Sequence, residues 1–270
     1  IQAYDRAIEI NPQFADAWYN KGNALMDQGK YDEAIKAYDK TIEIDPQYAD
    51  TWNNKGLALA DLGKYNEAIK SYDKAIEIDP QHAGAWSNKG NALAHQGKYD
   101  EAIKAYDRTL EIDSQLAIAW NNKGNALGDL GKYDEAIQAY DKAIEIDPQY
   151  ADAWSNKGLA LADLGKYDEA IQAYDRAIEI NPQFADAWGN KGYALSLQGK
   201  YDEAIQAFDK AIGIDPQDAI AWGNKGLALY SQGKYDKAIQ AYDKAIEIDP
   251  QLAIPWNNKG NALGDLGKYD

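Results

Sequence analysis

Residues 151–184 read ADAWSNKGLALADLGKYDEAIQAYDRAIEINPQF, and this stretch decides the fold. In its first half, Trp154, Gly158 and Leu161 fall at i, i+4 and i+7, one face of a helix of 3.6 residues per turn. Gly165 follows in the manner of a residue just past a helix C-terminus. In the second half, Tyr167, Ala170, Tyr174, Ala177 and Ile178 mark one helical face. Asp168 and Glu169 stand at its start, where the helix dipole favours acids. Asn181 precedes Pro182, and a residue before proline resists helical geometry, so the second helix is predicted to end there. Gly158 and Ala170 are small where the two helix backbones are expected to touch. Trp154 and Tyr174 are expected to fill the core on either side.

Moving outward, the unit recurs along the whole chain. Tryptophan falls at 18, 52, 86, 120, 154, 188, 222 and 256, always 34 residues apart. A fixed period of this size means an array of one supersecondary unit, each copy stacking on its neighbours because it cannot cover its apolar face alone. Full copies occupy 15–48, 49–82, 83–116, 117–150, 151–184, 185–218 and 219–252, with partial copies at 1–14 and 253–270. The chain opens and closes in mid-repeat and reads as a segment of a longer array.

Trp154, Gly158, Ala170, Tyr174, Ala177 and Pro182, with their counterparts in the other copies, resemble the signature of the tetratricopeptide repeat (TPR) family. The resemblance covers the whole chain. It implies an all-α, right-handed α-solenoid superhelix of antiparallel helix pairs. One column departs throughout: the third residue after each Trp is lysine (Lys21, Lys55, Lys89, Lys123, Lys157, Lys191, Lys225, Lys259), where the family often has leucine. The lysine stems are expected on the seam between repeats, with the ammonium groups in water. Ser114 stands where every other visible copy has Pro, at an expected cost of ~0.4–1 kcal/mol through the unfolded state.

Between copies, variation gathers two residues before the Trp, one, five, eight and nine after it, and in the last residue of the unit. The resemblance places these columns, with the near-constant Asn two after the Trp, in a concave groove. Frame columns are copied while groove columns change, a pattern that suits a binding surface. The whole chain carries 44 acids, 28 bases and a net charge of −16. The groove columns hold Asp16, Asp27, Asp50, Asp61, Asp129, Asp152, Asp163, Asp186, Asp218 and Asp265, and no Lys or Arg. They therefore carry −10, leaving 34 acids against 28 bases elsewhere. Such a surface attracts basic or polar segments and repels nucleic acid. A chaperone-tail carboxylate clamp, which needs groove Lys and Arg, is absent.

Asn20, Asn54, Asn88, Asn122, Asn156, Asn190, Asn224 and Asn258 form the constant groove row. An amide both donates and accepts, so the row either grips the backbone of an extended peptide or bonds locally. In spacing it resembles the asparagine ladder in the TPR region of O-GlcNAc transferase. Tyr193, Leu197, Ile220, Leu227 and Tyr230 form an apolar cluster in neighbouring copies, either a binding hot spot or a set that packs on itself.

Catalysis has little to work with. The chain has no cysteine, and its two histidines, His82 and His95, lack a fixed carboxylate partner in sequence and read as surface residues rather than a metal site. The carboxylates are dispersed by the period, and no phosphate loop occurs. No cofactor and no metal are expected. No apolar run of about 18 residues occurs, so no membrane span is expected within these residues, and a cytoplasmic location is the expectation. The favoured reading is a scaffold for protein or peptide ligands. One alternative is head-to-tail self-association, since the copy cut at Asp270 resumes at Ile1 with only two positions of the repeat frame missing between them. Another is the substrate-docking arm of a larger enzyme such as a glycosyltransferase.

Overall fold

The structure, a computed structural model, describes residues 1–268; Tyr269 and Asp270, where a head-to-tail junction would begin, lie outside the described residues. The described residues form α-helices joined by short turns. The first helices of the pairs are α2 (Ala15–Met26), α4 (Ala49–Asp61), α6 (Ala83–His95), α8 (Ala117–Asp129), α10 (Ala151–Asp163), α12 (Ala185–Leu197), α14 (Ala219–Ser231) and α16 (Ala253–Asp265). The second helices are α1 (Gln2–Ile10), α3 (Tyr31–Ile44), α5 (Tyr65–Ile78), α7 (Tyr99–Ile112), α9 (Tyr133–Ile146), α11 (Tyr167–Ile180), α13 (Tyr201–Ile214) and α15 (Tyr235–Ile248). The chain divides into two compact units, one of α1–α8 and one of α9–α16. In each unit a second helix packs on the first helices before and after it. Within each unit the first helices of adjacent pairs also approach closely, whereas among the described residues the second helices lie farther apart. The first helices thus lie side by side on one face of each unit.

The turns explain why the helices stop where they do. Gly165 has φ of 75°, a left-handed conformation that costs glycine least, and Lys166 N–H then donates to Leu161 C=O at 2.9 Å. This six-residue closure satisfies a carbonyl that the helix end would otherwise orphan. At the other junction Asn181 leaves the helix at φ −127° and ψ 90°, as a residue before proline must. Its side-chain oxygen accepts from Gln183 N–H at 3.1 Å, and Asp147 does the same for Gln149 at 2.9 Å. Ser114 keeps this turn without proline: Asp113 has φ −138° and ψ 98°, and the turn hydrogen bond from Gln115 N–H to Asp113 is 2.9 Å.

The core differs from the expectation in two places. Gly158 meets an aromatic side chain before any backbone of a neighbouring helix. A methyl built on it falls 2.7 Å from Cε1 of Tyr174, a fully buried ring, so the glycine makes room for an aromatic face. The same holds for Gly22 over Tyr38, Gly56 over Tyr72 and Gly192 over Phe208. The tryptophans, expected in the core, pack against its edge: Trp18, Trp154, Trp188 and Trp222 are partly buried beside core clusters, and Trp256 is 51% exposed. Each indole N–H instead donates across the preceding turn, as Trp154 Nε1 does to Pro148 C=O at 3.2 Å. An indole has one donor and a large flat face, so it seals a turn while covering the seam. The residues that fill the interior are the alanines, leucines and inner aromatics, such as Leu161, Ala170, Ala173, Tyr174 and Ala194.

Candidate functional site

The lysine column sets the electrostatics of the site. Each lysine reaches away from the first-helix face, onto an aspartate of the preceding second helix. The pairs are Lys21–Asp5, Lys55–Asp39, Lys89–Asp73, Lys123–Asp107, Lys157–Asp141, Lys191–Asp175, Lys225–Asp209 and Lys259–Asp243, all at 2.5–2.7 Å. Each ammonium also lies 5.0–5.8 Å from the ring of its own Trp. The stems lie on the seam as expected, but the heads are engaged by carboxylates rather than left in water.

The groove aspartates keep no such partner. Among the described residues none of the ten forms an ion pair with Lys or Arg. Asp16, Asp27, Asp50, Asp61 and Asp129 are exposed in the first unit; Asp152, Asp163, Asp186 and Asp265 are exposed in the second. Three have other engagements. Asp218 caps α14, accepting from Ile220 N–H and Ala221 N–H, both at 2.9 Å. Asp265 accepts from Tyr230 Oη at 2.6 Å, a bond that raises the tyrosine pKa. Asp50 lies 3.1 Å from His82 Nε2. His82 Nδ1 accepts from Ala85 N–H, so in neutral His82 the ring proton is on Nε2 and points at Asp50. His95 stacks on Tyr65 with centroids 5.1 Å apart. Among the described residues no cluster of His, Asp or Glu suited to a metal occurs.

In the first unit the asparagine row bonds from one copy to the next. Asn54 Nδ2 donates to Asn23 Oδ1 and Tyr19 Oη, both at 3.1 Å. Asn88 Nδ2 donates to Asn53 Oδ1 at 3.0 Å, and Asn122 Nδ2 to Asn91 Oδ1 at 3.1 Å. Asn23 and Asn91 also accept from the inner tyrosines Tyr38 and Tyr106, at 2.8 Å each. Burial pushes both phenol pKa values well up, which keeps them protonated donors. A variable column thus links the buried ring of one copy to the constant Asn of the next. Sequence comparison marked that column only as variable, because the partner sits 31 residues away. Asn20 is exposed at the start of the row.

The second unit has a larger and more apolar cavity. A cavity of about 890 Å³ runs across α10, α12 and α14. Asn156, Asn190 and Asn224 line it, with Leu159, Phe184, Tyr193 and Ile220 as apolar walls. Asp152, Asp186, Asp215, Asp218 and Asp249 surround these, and no Lys or Arg lines it. Asp215 and Asp249 were missed in the sequence because they belong to the nearly invariant Asp-Pro turns. Of the apolar cluster, Tyr193 and Ile220 share this cavity. Ile220 and Leu227 share a neighbouring pocket of about 110 Å³ with Ile254, Pro255 and Asn258. Leu197 is exposed outside both, and Tyr230 turns to Asp265 and Tyr235. The first unit has a shallower counterpart of about 600 Å³ that includes Asn91, His95, Asn122, Asn125 and Asp129. No helix among the described residues is long and apolar enough to cross a membrane.

Known proteins share this architecture. Tetratricopeptide repeat profiles match residues 15–48, 53–117, 121–183, 185–218, 207–240 and 226–267. An uncharacterized protein of Methanocaldococcus jannaschii is 47% identical over 34 residues, which is 13% of this chain and 40% of that protein. A chain of the APC/C hetero-tetramer Cut9-Hcn1 superposes with a TM-score of 0.72 at 21% identity. It covers 96% of this chain, which spans about half (51%) of that one. Pseudomonas aeruginosa PilF gives a TM-score of 0.68 at 21% identity, covering 79% of this chain and 97% of its own. YrrB, described as a TPR protein with an unusual peptide-binding site, is 29% identical with a TM-score of 0.57, over 71% of this chain and 98% of its own. From the recurring helix pairs and these matches, the chain belongs to the tetratricopeptide repeat family.

Proposed function

We propose that this chain is a non-catalytic protein-interaction scaffold that holds extended, basic or polar peptide segments against its first-helix face. The observation that carries the reading is the separation of charge. All eight column lysines are held by second-helix aspartates, so they do not neutralise the ten groove aspartates. A one-signed concave surface raises the local concentration of oppositely charged ligand. YrrB, a similar array described as having an unusual peptide-binding site, supports peptide binding as a use of such an array.

In the second unit, Asn190 and Asn224 would hold a ligand backbone, Asp152 and Asp186 would favour Lys or Arg, and Tyr193 with Ile220 would take an apolar side chain. The test is anisotropy of labelled extended peptides, basic against acidic, at two salt concentrations. The basic peptide should bind at least about tenfold more tightly, an advantage that shrinks with salt. Changing Asp152 and Asp186 to Asn should weaken it several-fold. Equal binding of both peptides to the unaltered protein overturns the charge assignment.

A further inference from the structure

A slot on the opposite face stands apart from the groove. Between α13 and α15, over the outer side of α14, lies a cavity of about 930 Å³. Ile205, Trp222, Leu229 and Ala241 form its apolar floor. Its three aspartates are already engaged. Asp209 pairs with Lys225 at 2.6 Å and Asp243 with Lys259 at 2.6 Å. Asp202 accepts from Gln232 Nε2 at 2.8 Å and lies 3.7 Å from Lys234. Lys237 lines the slot and, among the described residues, forms no ion pair.

Lys237 breaks the pattern of the array. Every other complete second helix has glutamate in its place: Glu33, Glu67, Glu101, Glu135, Glu169 and Glu203. In the corresponding slot beside α3, Glu33 and Trp18 both line the wall. Lys237 is also the third residue of α15, in a first turn where the helix dipole disfavours a cation. A local rule broken in one copy and kept in the others is expected at functional or strained sites.

We propose that this slot is a second docking site, for an acidic peptide segment carrying an aromatic or large apolar side chain. The apolar side chain would lie on Trp222 and Leu229 while a flanking carboxylate meets Lys237. At physiological salt the Debye length is about 8 Å, so the acidic groove on the other face does not cancel this local attraction. The site is independent of the groove reading and takes the opposite charge.

The test is anisotropy of a labelled Glu-Glu-Phe-Glu-Glu peptide at physiological salt, with Lys-Lys-Phe-Lys-Lys as the charge-reversed control. The Lys237→Glu variant restores the residue of the other copies, so it folds, and its Tm should rise. It should bind the acidic peptide at least about tenfold more weakly. Asp152→Asn with Asp186→Asn in the groove should leave that binding unchanged. Unaltered binding by Lys237→Glu, or no saturable binding of the acidic peptide to the parent protein, overturns the proposal.

Discussion

Two glycines three residues apart on α12 should respond oppositely to the same substitution. A methyl added at Gly189 has no atom within 4 Å. Ala is better than Gly in a helix interior by about 0.8–1.0 kcal/mol, chiefly through the entropy of the unfolded chain, so Gly189→Ala should stabilise by about that much. A methyl added at Gly192 falls 2.8 Å from Cε1, 2.9 Å from Cδ1 and 3.0 Å from Cζ of Phe208. Ordinary contact begins near 3.4 Å, and Phe208 is fully buried, so the ring or the helix must move. Overpacking of this kind costs about 1–3 kcal/mol. Set against the same propensity gain, Gly192→Ala should be neutral to about 2 kcal/mol destabilising. The two variants should therefore differ by roughly 1–3 kcal/mol. Urea unfolding gives the overall difference. Native-state hydrogen exchange in α12 and α13 localises it, which matters because repeat arrays need not unfold as one unit. If Gly192→Ala is as stable as Gly189→Ala, the glycine column is not there to seat the ring, and the packing argument is wrong.

Further outcomes follow from the turns and the buried phenols. Ser114→Pro should stabilise by about 0.4–1 kcal/mol, because Asp113 already has the extended backbone that proline demands of its predecessor; a fall in the urea midpoint would show that the Ser114 turn differs from its counterparts. Burial raises the pKa of Tyr38, Tyr72, Tyr106 and Tyr174 above the ordinary 10.0 and pushes Tyr242 up to about 12. Since the folded state holds these protons more tightly, their contribution is fully present below pH 10 and is lost as pH rises through the folded values. Stability should be flat in this respect below pH 10 and fall above it, with the inner phenolate absorbance appearing together with loss of helix. Ionisation of all tyrosines near pH 10 in the folded protein would contradict that.

The helix pair, its length and its stops were legible because they rest on local chemistry. The left-handed glycine, the residue before proline and the 3.6-residue pattern act over a few positions and recur with every copy. The acidity of the groove columns was legible for a related reason: copying holds the frame fixed, so the edited columns stand out. Partners across the seam were less visible. Sequence placed the lysine stems correctly but sent their charges to water, because the aspartate that receives Lys157 lies 16 residues earlier on another helix. It also assigned the tryptophans to the core, since a rare, invariant aromatic residue looks the same whether it fills an interior or seals a turn.

By itself, then, the sequence determined a tetratricopeptide array with one-signed charge in its variable columns. Only the tertiary structure decided that the lysines leave those charges unneutralised, that the first unit spends Asn54, Asn88 and Asn122 on its own seams, and that the second opens a deeper, apolar-walled cavity. The physical reason is range. Backbone preferences are fixed by neighbours in the chain, whereas an ion pair or a shared amide depends on which helices pack together.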